Sequence, residues 1–540
     1  MKNKLLITLL FAMILIFGVI SITSANETLI FAMSVDVNQL DPGDTNISQA
    51  ISNIFESLVK FKAGSTSIEP CLATSWDISI DGKEITFHLR KGVKFHDGTD
   101  FNADAVVFSF ARQYDLNHPY HQYGKWNMWK YLFNDVDRME KIDEYTVKLV
   151  LKRSNASIIT SLAHYRVAIV SPANTEKYKE DAFKHPCGTG PFKFVEWIKD
   201  DHITLEANEN YWQERANLNK LIFKVIPDAS ARLMALEVGE VQGMEYPNPA
   251  DFDRINHNKD LTLLSQPGMN VGFMIINTGY GYIDENKNNI RDTDSEPLTK
   301  TPGYFEPLTK KKVRQAINMA IDKQSIVDNI YMGSAIKAKN GMPPFMLGYN
   351  DDIEEYPYDP EKAKELLTEA GYPDGFEVTL YVMPLSRPYM FDPPKIAEAI
   401  QSYLAAVGIK VEFYQIDWGS YLQETRDGKH QMCLLGWVGD NGDPDNFMNV
   451  YNADRASIGT AQNRAFYIND KVQELLSAAL ATYDDEKRAT YYKKIQEMIH
   501  DDAAWVYLFH STQNVVFRNN IKNFILNPLS LLYFYPVWVE

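Results

Sequence analysis

The sequence predicts a two-lobed α/β protein, and three observations carry that expectation. With 540 residues, 45% hydrophobic and 12% aromatic, the chain can bury more core than one compact domain holds. Between Tyr358 and Gln415 helical and strand patterns alternate, as a layered α/β lobe requires. The last stretch, Trp505 to Phe509 and Thr512 to Phe517, reads as strand again and runs into a Pro- and aromatic-rich tail that resembles the first lobe in composition. A chain that leaves one lobe, builds a second and comes back makes two hinge strands with a cleft between them. The expected bounds are 26–272 for lobe I, 273–507 for lobe II and 508–540 for the return.

The N-terminus begins Met1-Lys2-Asn3-Lys4, continues through an apolar run from Leu5 to Ile22 and reaches Thr23-Ser24-Ala25. A basic start, an apolar segment and small residues before the cut fit a secretory signal peptide over residues 1–25. The alternative is a retained anchor helix, because the run lies near the lower length limit for spanning a bilayer. Either way the bulk of the chain is exported, to the periplasm or the outer face of the membrane. A net charge of -17 and the lack of a Lys/Arg-rich run argue against a nucleic-acid partner. The three cysteines, Cys71, Cys187 and Cys433, give neither a disulfide framework nor a zinc pattern, and none follows the apolar run as a lipidation site.

In lobe I, Thr28 to Met33 reads as a strand and Gln49 to Lys62 as an amphipathic helix leading into a strand. Two alternating runs, Trp76 to Ile80 and Glu84 to Leu89, flank Asp81-Gly82, where Gly can take positive φ, so they form a hairpin. His96-Asp97-Gly98 makes a second turn before a helix that starts at Asn102. Gly188-Thr189-Gly190-Pro191 lacks the Lys-Ser/Thr that a phosphate loop needs and reads as a tight turn.

A polar insertion spans 279–307. Its Asp284, Asn286, Asn288, Asp292, Asp294 and Glu296 alternate much as oxygen ligands do in calcium loops, with Asn289 placed to take the left-handed turn. The EF-hand spacing is not kept, since its final acid would fall at Ser295, and a solvated loop is the competing reading. Calcium is the one cofactor these residues suggest.

Lobe II opens with Lys311 to Met332, apolar at helical spacing. Asp359, Pro360 and Gly371 then punctuate a helix as N-cap, first helical residue and C-terminal stop. Strand Phe376 to Met383, helix Pro394 to Val407 and strand Ile409 to Gln415 come next. After the buried run Met432 to Leu435 comes "GWVGDNGDPDNF", residues 436–447, which packs acid and glycine at a strand end. A metal loop, a catalytic acid and a seat for a ligand's ammonium are all open at this point. No His or Cys accompanies the cluster at ligand spacing, which disfavours a transition metal. Asp443 before Pro444 and Asp445 read as turn formers, and Asn446 as a cap for the segment after it.

Several segments together resemble a known family: "LATSWDISIDGKEITFHLRKGVKFHDGTDFNADAVVFSF", "GTGPF", "IPDAS", "YPNPAD", "VRQAINMAIDK", "YDPEKAKELLTEAG" and "GWVGDNGDPDNF". They look like the solute-binding proteins of ABC transporters, family 5, which take up peptides or nickel. The likeness runs from about residue 27 to the C-terminus, with only the 279–307 insertion clearly outside it. It implies a periplasmic-binding-protein fold of type II, cluster C, with an extra subdomain in lobe I. "MPLSRPY" (383–389) and the acid-glycine loop are most similar to the dipeptide-binding branch, whereas oligopeptide, nickel and glutathione binders are not similar in this pair.

Carried over on those motifs, the resemblance implies that Arg387 holds a peptide's carboxylate and Asp440 its α-ammonium. Tyr389 and Trp437 would wall the pocket, with Val438 and Gly439 beside the ligand. The chemistry agrees, because a dipeptide varies in its side chains while its two charged ends stay constant. Arg presents a planar fork to a carboxylate, and an ionised Asp accepts from an ammonium. If Gly436, Gly439 and Gly442 bring the main chain close, its own amides and carbonyls add affinity without reading a side chain. The implied partners are a dipeptide or short peptide and a membrane permease, for a monomer without catalysis.

Two other readings stand beside this one. Haem, a glutathione-like ligand or a longer peptide could occupy the same fold, and haem would need an axial His, Tyr or Met such as Tyr389 or Met390. An exported hydrolase lacks support: no Gly-x-Ser-x-Gly, His-Glu-x-x-His or Ser-x-x-Lys set stands in a persuasive context, and the 11 histidines are scattered.

Overall fold

The computed structural model describes residues 27–45, 49–288 and 290–540. The leader read over 1–25 and Asn289 of the polar insertion lie outside the described residues.

Strand Thr28–Met33 sits in the middle of lobe I, parallel to Lys220–Val225 on one side and Gly243–Glu245 on the other. Both of its faces are covered: Phe31 packs on Phe223, Phe517 and Phe534, while Ala32 meets the cluster of Leu236 and Met244. Such double burial is why the run is almost wholly apolar. Strands Phe192–Ile198 and His202–Ala207 extend the sheet antiparallel to its edge.

A subdomain stands on lobe I with a core of its own. Its four strands run in the order Ala73–Ile78, Glu84–Leu89, Thr146–Leu151, Val136–Asp143. The hairpin turns at Gly82, with φ +67°. Helix Ala103–Tyr114 starts where Asn102 accepts from the Ala105 amide at 3.2 Å, and it packs over Phe87, Leu149 and Trp129.

In lobe II the buried strand Asn270–Ile276 lies between Met432–Val438 and Trp505–Arg518, antiparallel to both. Phe376–Tyr381 and Ile409–Tyr414 continue in parallel, with helices Pro360–Glu369 and Pro393–Ala405 packed against the core. Asp359 caps the first of these helices at 2.9 Å, and Gly371 closes it at φ +94°, as the punctuation of that segment requires.

One long strand, Trp505–Arg518, joins the lobes. Its first half pairs with 272–275 and its second with 261–267. At the crossing, Asn270 acts as a clamp: its Nδ2 donates to Ser511 O at 3.0 Å and its Oδ1 accepts from Ser511 N at 2.9 Å. Side-chain bonds replace the ladder where the twin strands bend.

Two helices differ from expectation. In 49–62, read as a helix leading into a strand, the helix is confined to Ile51–Ile54 and the strand is Val59–Phe61. Asn53 donates to both Gln49 O and Leu532 O at 2.8 Å, and the chain turns extended at Phe55 so that Glu56 reaches Tyr211, Trp212 and Thr189. The helix read over 311–332 breaks at Ile321, because Asp322 caps a new turn by accepting from Ser325 N at 2.9 Å. The Gly188 turn serves packing, since a Cβ there would stand 2.2 Å from Ile54 O. All three cysteines are free and buried.

Candidate ligand-binding site

Strand Met432–Val438 is buried through Gly436 and then delivers the acid-glycine loop to the junction of the lobes. The loop is held on every side. Gly439 N donates to Met269 O at 2.8 Å. Asn446 reaches back rather than capping forward: its Oδ1 accepts from Trp437 Nε1 at 3.0 Å and from Asp440 N at 3.1 Å. Asp443 caps helix Pro444–Met448 and accepts two bonds from Arg488, at 2.7 and 2.9 Å. Across the cleft, Asn441 Nδ2 donates to Ser161 Oγ at 2.8 Å, and Tyr483 OH donates to Gly82 O at 3.1 Å. The lobes are therefore in contact around the site.

These bonds separate the three aspartates by role. Asp443 belongs to the scaffold. Asp445 is partly buried, and burial followed by the charge of Asp443 raises its carboxyl to about 7. Asp440 lines a cavity of about 210 Å³ together with Gly439 from lobe II and Phe61, Tyr165, Tyr246 and Leu531 from lobe I. Burial raises its carboxyl to about 6, with the Asn446 bond and the charge of Arg166 pulling it back.

Arg387 sits in a tight turn in which its amide and carbonyl both bond Met390, each at 2.9 Å. Its guanidinium lies 4.5 Å over the ring of Trp418, which stacks on Tyr421. This cation–π contact holds the planar fork without an acidic partner. Its buried Nε has no hydrogen-bond partner among the described residues.

Gly436 and Gly442 adjoin protein side chains, whereas Gly439 also lines the cavity beside Asp440. A Cβ on Gly436 would lie 2.3 Å from the Tyr389 ring, and one on Gly439 would meet Phe447 at 2.5 Å. Protein side chains fill the space these glycines leave, and Gly442 takes φ +71° beside Thr66 and Phe61. Tyr389 is 9% exposed and belongs to the core of lobe II, where burial raises its hydroxyl to about 12. Trp437 is half-buried, and Val438 is 40% exposed.

The calcium-type residues do not converge. Glu296 is buried and accepts from the amides of Glu285 and Asp292 at 3.0 and 2.9 Å. Asp292 accepts from Asp294 N and Ser295 Oγ, Asn288 from Ile290 N, and Asp284 from Asn288 N. Among the described residues no three His, Cys, Asp or Glu side chains gather into a metal site. Asn286 is exposed. Loop amides and a serine hydroxyl bond Glu296, Asp292 and Asp284 within the loop itself.

Sequence reasoning missed the lobe I wall. Phe61, Tyr165, Tyr246 and Leu529 to Leu531 come from segments far apart in the chain, with no shared motif. It also missed Arg464, buried in lobe II, whose Nε has no partner among the described residues and whose charge bears on Tyr389 with that of Arg387. Tyr246 carries a signal only in its backbone, a strained φ of +48°.

Comparison with known proteins agrees with this architecture. Residues 67–458 match the model of the bacterial extracellular solute-binding proteins, family 5. The chain is 37% identical over 521 residues to the dipeptide-binding protein of Escherichia coli, covering 93% of this chain and 92% of the relative. It is 36% identical over 538 residues to heme-binding protein A of Haemophilus influenzae, covering 96% and 93%. Among solved structures, the periplasmic binding protein DppA of Helicobacter pylori in complex with peptide STSA superposes with a TM-score of 0.72 at 34% identity, over 95% of this chain and 98% of that one. No helix of the described residues is long and apolar enough to cross a membrane. The chain belongs to the bacterial extracellular solute-binding proteins of family 5, two-lobed α/β binders rather than a family of enzymes.

Proposed function

We propose that this chain is an extracytoplasmic receptor that captures dipeptides by their two charged ends and passes them to an ABC importer. It works as a monomer after loss of its leader. What supports the reading is two opposite charges that form no ion pair among the described residues: the Arg387 guanidinium, held on Trp418 outside the cavity lining, and the Asp440 carboxylate, which lines the interlobe cavity. A zwitterion supplies both missing partners. Each charge-assisted bond contributes roughly 1.5–3 kcal/mol when closed off from water.

Closure completes the mechanism. The ligand touches both lobes, stabilises their contact by its differential affinity, and so produces the shape a permease recognises. No bond is made or broken.

The Escherichia coli relative named for dipeptides supports this reading. The Helicobacter pylori neighbour holds a four-residue peptide, so length is the property to measure. The Haemophilus influenzae relative raises haem as the competing ligand. Tyr389 and Met390 are packed into the core, 9% and 0% exposed, which leaves neither free as an axial ligand at the cavity.

Native mass spectrometry of the purified protein, followed by calorimetry with dipeptides, tripeptides and tetrapeptides, tests the proposal. A co-purifying dipeptide mass, recovered intact after incubation, is the expected result. Haem absorbance bands that saturate at one equivalent, with no heat from any dipeptide, would overturn it.

A further inference from the structure

The lobe I wall of the cavity holds a hydrogen-bond acceptor with no partner. Gln49 lines the cavity together with Asp440 and is itself only 7% exposed. Its amide nitrogen is committed, because Nε2 donates to Glu245 Oε2 at 2.9 Å. A carboxylate only accepts, so this bond fixes which end of the amide is nitrogen. The other end, Oε1, is buried and has no hydrogen-bond partner among the described residues. Other buried side-chain atoms share that condition, but Gln49 is the residue among them that lines the cavity.

The group that holds the amide is itself fixed. Glu245 Oε1 accepts from Ser34 N at 2.8 Å and from Ser34 Oγ at 2.7 Å. Its main-chain oxygen accepts from Arg232 Nε at 3.1 Å, and its strand, Gly243–Glu245, lies between Thr28–Met33 and Trp505–Arg518. Glu245 stands outside the cavity lining, so an amide that turns its nitrogen to Glu245 leaves its oxygen as the end for a ligand.

Two acceptors therefore border one cavity from opposite lobes, Gln49 Oε1 from lobe I and the Asp440 carboxylate from lobe II. Neither an amide oxygen nor an ionised carboxylate can donate. The group that satisfies both is a donor without lone pairs, and a primary ammonium presents three N–H bonds spread tetrahedrally. Other polar groups of the wall fit less well. His164 Nδ1 already accepts from Arg166 N and Ser530 Oγ from Gln513 Nε2, while the Tyr165 and Tyr246 hydroxyls donate as well as accept. Resting on the function proposed above, we propose that Gln49 Oε1 accepts from the ligand's α-ammonium, so that Asp440 and Gln49 hold this one group together and it ties lobe to lobe.

A crystal structure with Ala-Ala bound, together with calorimetry of Ala-Ala and of propanoyl-Ala by competition, tests this. Propanoyl-Ala is the same molecule without its ammonium, so the ratio of the two affinities isolates that group. The ligand nitrogen is expected within about 3.2 Å of both Gln49 Oε1 and an Asp440 oxygen. Gln49→Met keeps the length of the side chain and removes the acceptor; it should cut the affinity ratio by about tenfold, and Gln49→Leu should do the same. A residue that only shapes the wall would weaken both ligands alike. An unchanged ratio in both variants overturns the inference, and so does a nitrogen seated on Asp440 with Gln49 Oε1 out of reach. If Ala-Ala does not bind the unaltered protein, or binds with its nitrogen away from Asp440, the function reading falls first and takes this inference with it.

Discussion

The carboxylate of Asp443 accepts two bonds from the guanidinium of Arg488, and their side chains are only 2% and 5% exposed. This pair anchors the loop that carries Asp440, three residues earlier in the chain. A buried ion pair adds little net stability when whole but is costly to halve. Asp443→Asn leaves the Arg488 charge stranded and should destabilise the empty protein by about 3–5 kcal/mol in chemical denaturation. Pairing it with Arg488→Met should recover part of that loss, and additive losses would show that the two residues do not act together.

Arg387→Ala and Asp440→Ala should each weaken dipeptide binding by about 2–4 kcal/mol, measured by calorimetry. Neither charge has an ion-pair partner among the described residues, so the empty fold has little to lose. Unaltered affinity in both variants would refute the site.

Affinity should depend on acidity through Asp440. Its carboxyl is raised to about 6 in the empty site, chiefly by burial, and an arriving ammonium favours the ionised form. Binding therefore releases a proton near that pH. Affinity holds steady above about 7 and falls as the pH drops through 6, and Asp440→Asn flattens the profile. The same sign makes the folded state bind the proton more readily than the unfolded chain. Asp440→Asn should thus stabilise the empty protein slightly at neutral pH, read as a small rise in Tm.

Gly436→Ala tests whether the loop glycines serve packing. The added methyl would lie 2.3 Å from the Tyr389 ring, so the ring must move. Overpacking of this kind costs about 1–3 kcal/mol. A denaturation midpoint equal to that of the unaltered protein would show that Tyr389 is not held as described.

Arg387 and Asp440 became candidates through the family resemblance, which rests on two short motifs, each local in the chain. Asp440 could be singled out from Asp443 and Asp445 by its place in the resemblance, but only the fold explains the distinction. Arg488, distant in sequence, claims Asp443, and Asn446 bends back to hold the Asp440 amide instead of capping forward. In the calcium-like spacing of 284–296, loop amides bond the carboxylate oxygens of Glu296, a tertiary detail that spacing does not record.

By itself the sequence determined the α/β alternation, the punctuated helix at Asp359 to Gly371 and the hairpin at Asp81-Gly82. All of these rest on interactions within a few residues, so periodicity and turn chemistry suffice. The tertiary structure alone decided that Tyr389 fills the space above Gly436, that Asn270 clamps the crossing strand, and that Tyr165 lines one cavity with Asp440. Those relations depend on surfaces brought together from hundreds of residues apart, where burial and shape choose the neighbours and no local pattern records the choice.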